Sequence, residues 1–390
     1  MPVKEKHQEF KMKLSETLKI DYFRVQLNAW RICGALDLSE GRYWSWSMLL
    51  CILVYLPTPM LLRGVYSFED PVENNFSLSL TVTSLSNLMK FCMYVAQLTK
   101  MVEAQSLISQ LDARVSGESQ SERHRNMTEH LLRMSKLFQI TYAVVFIIAA
   151  VPFVFETELS LPMPMWFPFD WKNSLVVYIG ALAFQEIGYV FQIMQCFAAD
   201  SFPPLVLYLI SEQCQLLILR ISEIGYGSKT LEENEQDLVN CIRDQNALYR
   251  LLDVTKSLIS YPMMVQFMVI GINIAITLFV LIFYVETLYD RIYYLCFLLG
   301  ITVQTYPLCY YGTMVQESFA DLHYAVFCSN WVDQSASYRG HMLILAERTK
   351  RKQLLLAGNL VPIHLSTYVA CWKGAYSFFT LMADRDGLGS

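Results

Sequence analysis

The stretch LVPIHLSTYVACWKGAYSFFTLM, Leu360–Met382, decides how the fold of this chain is predicted. A helix of roughly 20 mainly apolar residues crosses the hydrocarbon core of a bilayer, and this stretch is long enough to do so. It also carries His364 and Lys373, together with serines and threonines. A polar stripe on a membrane helix has to face protein or water, because lipid offers no hydrogen-bond partner. The pattern therefore predicts a membrane span that borders water or another polypeptide.

Six other apolar segments have the length of a membrane span. The chain has 390 residues, of which 54% are hydrophobic and 17% are charged, whereas a soluble domain is about a quarter charged. We therefore predict an all-α membrane protein with seven transmembrane helices. The apolar run FPPLVLYLI either extends the fourth span or forms a further partial span. The predicted spans are 44–62, 76–99, 138–155, 174–198, 258–288, 292–312 and 360–382.

The basic residues alternate between the two sides of these spans. Lysine and arginine are abundant in the N-terminal segment and in loops two, four and six, whereas loops one, three and five carry only Arg63, Lys172 and Arg291. Because short cytoplasmic loops concentrate basic residues, we expect a cytoplasmic N-terminus and an extracellular C-terminus. The first forty residues lack the apolar core of a signal peptide, so the first span is expected to start insertion.

Several function classes fit this pattern poorly. Receptors that couple to G proteins have an extracellular N-terminus, and the motifs D-R-Y and N-P-x-x-Y are both missing here. No phosphate-binding glycine loop and no nucleophile elbow is present. Neither C-x-x-C nor H-E-x-x-H occurs, so no metal site is expected. We expect no enzymatic activity, no cofactor and no nucleic-acid partner.

The loops between the spans suggest four regions. Residues 1–312 hold the N-terminal segment and six spans, 313–359 a helical cytoplasmic anchor region, 360–382 the last span, and 383–390 an extracellular tail whose final GLGS is typical of vector-derived sequence. The segment GHMLILAERTKRKQLLLAGN predicts a basic amphipathic helix that ends near Gly358. The inner-loop helices either lie on the membrane surface or pack together, and their apolar residues favour packing.

Asn75 is a candidate glycosylation site. It begins the sequon NFS in the first outer loop, whereas the second sequon, at Asn126, lies in an inner loop. Only Asn75 would therefore meet the glycosylation machinery on this topology.

Four stretches resemble the insect odorant receptor family: DLVNCIRDQ, VQTYPLCYYG, FCSNWVD and RTKRKQLLLAGNLVPIHLSTYVACWKGAYSFFTLM. The resemblance implies a non-selective cation channel that a small volatile molecule opens. It also implies four subunits around a pore lined by the seventh helix, in the plasma membrane of an olfactory sensory neuron. The co-receptor of this family has a long insertion between spans four and five. Here that segment is short, which implies an odorant-sensing subunit that forms a heterotetramer with the co-receptor.

The resemblance places an odorant pocket in the outer half of spans two to six. Aromatic and hydroxyl side chains at helical spacing are candidates there, although for any single residue ordinary helix packing is the more common explanation. The predicted pocket residues are Thr81, Ser84, Phe146, Ala150, Phe153, Tyr178 and Tyr284.

The last span carries the predicted gate. On a helical wheel, one stripe holds Ser366, Ala370, Lys373, Ser377, Thr380 and Asp384, and the opposite stripe holds Leu365, Val369, Trp372, Phe379 and Met382. The resemblance places the narrow gate at Phe379 and Thr380. Glu186 and Lys373 are ionisable groups at mid-span, where such groups are costly and often functional. They could pair with each other, or each could face water.

Two alternatives remain open from the sequence. One is a seven-helix chemoreceptor that acts metabotropically, either G-protein-coupled or of the gustatory type. The other is a secondary transporter, although the repeated halves and interrupted helices typical of that class are not visible.

Overall fold

The structure is a computed structural model, and it describes residues 21–35, 54–64, 71–155, 161–163, 165–285, 288–350 and 352–387. Helices make up nearly all of the described chain, and one short hairpin precedes the last helix. The elements are α1 (Arg24–Ile32), α2 (Pro57–Gly64), α3 (Pro71–Ala96), α4 (Leu98–Asp112), α5 (Glu118–Phe155), α6 (Leu175–Ser222), α7 (Leu231–Phe283), α8 (Leu288–Cys328), α9 (Ala336–Thr349), β1 (Leu356–Ala357), β2 (Val361–Pro362) and α10 (Leu365–Gly387).

Six of the seven predicted spans are helical in the structure, although several helices begin or end at other residues than predicted. The first predicted span, 44–62, lies largely outside the described residues, and α2 covers its end. The second ends at Ala96 instead of Thr99, because the chain turns at Gln97 before α4 begins. The fifth ends at Phe283 instead of Leu288. Within the described ranges, three helices are long and apolar enough to cross a membrane by length and composition alone: Leu175–Ser222, Leu231–Phe283 and Arg291–Cys328.

The run FPPLVLYLI is a continuation of α6. This helix passes through Pro203 and Pro204 without ending, and every residue from 197 to 211 is buried. A helix that is apolar on all sides belongs in the centre of a bundle. Accordingly, α6 packs against α5 and α8 at the centre of the main core.

The helix α9 packs against α7 and α8, which in turn pack against α6. A capping box between Thr230 and Glu233 starts α7. Arg220 of α6 donates to Asp244 of α7 at 2.6 Å, and the side chains of this ion pair are only 10% and 3% exposed. Because removing one partner of a buried ion pair leaves an uncompensated charge, the pair fixes how the two helices align.

His130 of α5 lies in an aromatic contact within the inner part of the bundle. Its Nε2 atom is 2.9 Å from the Tyr311 hydroxyl, and its ring centroid is 4.5 Å from that of Tyr208. Burial lowers the pKa of His130, while Glu212 opposes this shift and Arg133 adds to it. The imidazole is therefore held in its neutral form more strongly than a free histidine.

The prediction that the helix after α8 ends near Gly358 is wrong. The helix ends at Thr349, and the chain then forms an antiparallel hairpin that pairs Leu356 with Pro362. Gly358 and Asn359 both have positive φ, 57° and 59°, a conformation that permits a tight turn. Ser260 of α7 fixes the hairpin, since its carbonyl oxygen accepts from the Gly358 N–H at 2.9 Å. These contacts to α7 favour the hairpin over a continued helix, and α10 consequently begins at Leu365 instead of Leu360.

Candidate functional site

A cavity of about 180 Å³ lies between α3, α5, α6, α7 and α8. A dry apolar cavity of about 150 Å³ is large enough to bind benzene, so this one can hold a small organic molecule. Its lining on α3 runs from Ser79 to Lys90, a distance of about 16 Å at the rise of an α-helix. The cavity therefore has two distinct ends.

The polar end of the cavity comprises Lys90, Gln266, Gln304 and Tyr142, with Asp200 behind them. The Lys90 ammonium donates to Asp200 Oδ1 and to Gln266 Oε1, both at 2.6 Å. Asp200 Oδ2 accepts from the Tyr142 hydroxyl at 2.7 Å and from the Gln304 amide. The Lys90 and Asp200 side chains are 2% and 1% exposed. Charges this deeply buried occur in proteins when they are paired and hydrogen-bonded, and here both conditions hold.

A second polar group lies midway along the cavity. The Ser79 hydroxyl donates to Asn273 Oδ1 at 3.2 Å, and Asn273 Nδ2 donates to the Thr83 hydroxyl at 3.0 Å. These three side chains join α3 to α7 and satisfy much of one another's hydrogen-bonding capacity. The remaining end is mainly apolar and is lined by Leu80, Met163, Ile276, Val280 and Phe297, and the lining also includes Thr277, Tyr293 and Tyr294.

The five predicted pocket residues whose side chains the structure describes lie outside the lining of the cavity. Thr81 donates to the Ser77 carbonyl within its own helix at 2.7 Å. Ser84 is 2.6 Å from the Thr58 hydroxyl and accepts from Gln192. Phe146 contacts the lining directly, because its ring stacks on that of the lining residue Tyr189, with ring centroids 5.8 Å apart.

Tyr178 and Tyr284 also lie outside the lining of the cavity. Tyr178 packs on Trp171 near the start of α6. Tyr284 follows the end of α7, is 37% exposed and contacts Phe279. The side chains of Ala150 and Phe153 lie outside the described residues, as does that of Asn75, the candidate glycosylation site. The candidates lie on or next to helices that enclose the cavity, but its lining comes from other positions on those helices.

Two residues of the polar end satisfy a criterion that can be applied to the sequence alone, namely that an ionisable residue within or beside a membrane span is a functional candidate. Lys90 lies inside the second predicted span, where an ionisable residue is a functional candidate, and Asp200 follows the fourth span by two positions. Glu186 and Lys373 met the same criterion, but no ion pair joins them among the described side chains. Glu186 is partly buried on α6, and Lys373 is exposed on α10.

The last helix, α10, packs on one side only. It contacts α7 and α8, and Ala375 is buried there against Ile270, Ile274, Leu298 and Ile301. The opposite side of the helix is exposed along Ser366, Ala370, Lys373 and Ser377, with Val369 also exposed. Val369 therefore departs from the helical-wheel prediction. Ser366, Lys373 and Ser377 agree with it, whereas Thr380 is half-buried.

The predicted gate residues lie at the far end of α10. Phe379 packs on Phe283 of α7 with ring centroids 6.1 Å apart. The Thr380 hydroxyl donates to the Ser377 carbonyl at 2.9 Å, and the Ser377 hydroxyl donates to the Lys373 carbonyl at 3.0 Å. Within the described part of the chain, no cluster of metal-ligating side chains accompanies them.

A family model described as the 7tm odorant receptor matches residues 70–376. The chain belongs to the odorant receptor family. It is 98% identical to Odorant receptor 23a of Drosophila melanogaster over 379 residues, which cover 97% of this chain and 100% of that protein. It is 31% identical to Odorant receptor 59a of the same species, over 93% of this chain and 97% of that one.

A solved structure has the same fold as this odorant receptor. The insect olfactory receptor OR5 from Machilis hrabei, in complex with eugenol, superposes with a TM-score of 0.78 over 94% of this chain and 100% of that chain, at 15% identity. The prediction of an all-α membrane protein is confirmed. The protein is an odorant-sensing membrane receptor and not an enzyme.

Proposed function

We propose that this receptor is the odorant-sensing subunit of an odorant-gated, non-selective cation channel. It forms a heterotetramer with the family's co-receptor in the plasma membrane of olfactory sensory neurons. The observation that carries the proposal is the one-sided packing of α10, whose exposed stripe includes Lys373 and Ser377. Lipid cannot satisfy such a stripe, whereas water between symmetrically arranged subunits can.

The role of the sensing subunit is supported by the short connection between α6 and α7. Only residues 223–230 separate Ser222 from Leu231, where the co-receptor of the family has a long insertion. A volatile ligand also needs a small cavity that is largely apolar, which the space between α3 and α8 supplies.

Two side chains line the cavity and also belong to the apolar cluster that packs on α10, which supports gating by the ligand. Ile270 of α7 and Ile301 of α8 line the cavity, and both belong to the cluster that buries Ala375 of α10. Trp372 packs against the same cluster. A ligand that displaces either isoleucine would therefore press directly on α10.

The test is electrical and uses the full chain expressed with the co-receptor in cultured cells. We expect odorant-evoked cation currents in excised patches without nucleotides. Thr380→Lys should lower cation permeability and shift the reversal potential, because it adds a positive charge at the proposed gate. Thr380→Val is the matched control, since it preserves size and removes only the hydroxyl. The co-receptor's own helices should dilute both effects.

Three results would contradict the proposal. They are currents that require GTP, an N-terminal tag exposed outside intact cells, and wild-type reversal potentials from Thr380→Lys channels at the cell surface. The first two would favour the metabotropic chemoreceptor.

A further inference from the structure

The polar end of the cavity has hydrogen-bonding capacity that the protein leaves unused. An ammonium group has three N–H donors, and Lys90 uses two of them, on Asp200 and Gln266. The Gln266 side chain accepts through Oε1, while its NH₂ group donates to no other described residue. Lys90 and Gln266 both line the cavity, and they are 2% and 5% exposed.

The position of these donors argues against a purely structural role. A buried polar group that makes fewer hydrogen bonds than it can is costly. By contrast, Ser79, Asn273 and Thr83 in the same cavity use their hydrogen-bonding groups on one another. The polar end instead presents unused N–H donors to a space that a small molecule can occupy.

The charge balance at this end restricts the ligand. Lys90 and Asp200 neutralise each other at 2.6 Å, and Tyr142 and Gln304 complete the shell of the carboxylate. An ionised ligand would add a third charge without a counterion in a medium of low dielectric constant. A neutral ligand with an acceptor oxygen meets no such penalty, and it would satisfy the remaining donors.

We propose that Lys90 and Gln266 bind the oxygen of a small neutral carbonyl odorant, a ketone, ester or aldehyde, whose hydrocarbon part occupies the apolar end of the cavity. This inference rests on the proposed function, because it concerns the ligand of the same channel. A hydrogen bond from a charged donor should improve sensitivity by about 10- to 100-fold over an isosteric ligand without the oxygen.

The experiment compares two series of ligands on the full chain expressed with the co-receptor. One series consists of 2-ketones with about five to nine carbons, sizes suited to a cavity of this volume. The other consists of the matching 2-methyl-1-alkenes, in which a CH₂ group replaces the carbonyl oxygen. We expect the ketone of each active pair to evoke half-maximal current at a concentration about 10- to 100-fold lower.

Variants then assign this preference to the polar end. The double variant Lys90→Met/Asp200→Asn removes both charges together, so neither is left unpaired, and it should reduce the ketone preference to within about threefold. Gln266→Leu keeps the ion pair and should weaken the preference in part. Lys100→Met is the matched control, because Lys100 bonds to Gln97 and Ser257 away from the cavity; it should keep the full preference.

The outcomes separate this inference from the proposed function. Currents evoked by other odorants but by no carbonyl compound would overturn the ligand class and leave the channel intact. Equal sensitivity to ketone and alkene, or an undiminished preference in both Gln266→Leu and a surface-expressed double variant, would overturn the role of these residues. A wild-type receptor that reaches the surface but conducts with no odorant would overturn the channel proposal itself.

Discussion

Gly312→Ala should loosen the attachment of α10 to the rest of the receptor. Gly312 lies on α8 beside the entry to α10, and a Cβ atom there would lie 2.2 Å from the Ile363 carbonyl oxygen and 2.9 Å from its Cγ2 atom. The neighbouring Thr313 hydroxyl accepts from the Leu365 N–H at 3.1 Å. The new methyl group would therefore push away the backbone that starts α10.

The magnitude follows from two opposing contributions. Replacing glycine by alanine inside a helix stabilises it by about 1 kcal/mol. Overpacking a rigid contact costs about 1–3 kcal/mol, and sometimes more. The contact atom here is a backbone carbonyl, and Ile363 is itself held by a hydrogen bond from its N–H to Leu355 at 2.9 Å, so the upper part of that range applies. We expect a net loss of about 1–2 kcal/mol, which corresponds to a fall in melting temperature of roughly 1–2 °C for a chain of this length.

Gly300→Ala on the same helix is the control. Its Cβ would meet only Val145 Cγ2, at 3.8 Å, an ordinary contact, so the helix-propensity gain should remain. Thermal unfolding of the purified receptor in detergent, followed by size-exclusion chromatography, compares the two variants. A Gly312→Ala variant that melts at or above the temperature of Gly300→Ala would refute the close approach of Ile363.

Three further outcomes are expected. Arg220→Met, which breaks the buried ion pair between α6 and α7, should lower the free energy of unfolding by about 3 kcal/mol. Arg250→Met, which breaks the exposed pair between Arg250 and Glu103, should lower it by less than about 1 kcal/mol; equal melting temperatures of the two variants would contradict this. Folding lowers the pKa of His130, so the stability that the neutral imidazole contributes is complete above the ordinary histidine pKa and is lost as the pH falls. Acidification from neutral pH should therefore lower the melting temperature of His130→Gln less than that of the wild type. Tyr189→Ala should shift odorant dose–response curves more than Phe146→Ala, since only Tyr189 lines the cavity; the reverse order would place the ligand elsewhere.

The membrane spans and the polar side of α10 were readable from sequence because both depend on local pattern. An apolar run of sufficient length predicts a span whatever surrounds it. The polar positions of the last span recur at helical spacing, so their shared face follows from the geometry of one helix. Their exposure in the structure agrees with that expectation, at Lys373 and Ser377 among others.

The hairpin before α10 shows where local pattern was insufficient. The segment after α9 has the composition of an amphipathic helix, but Ser260 of α7 binds both Leu356 and Gly358. Those partners are about a hundred residues away in sequence. Helical propensity is a weak preference that tertiary contacts can override.

The sequence by itself determined the class of protein, the approximate positions of its membrane helices and the polar face of the last one, because each is a property of consecutive residues. Only the tertiary structure decided which side chains line the cavity. Lys90, Asp200 and Gln266 come from three different helices and meet only when these pack. A step of one residue along a helix turns the side chain by about 100°, so naming candidates on the helices that enclose the cavity does not identify the residues that line it.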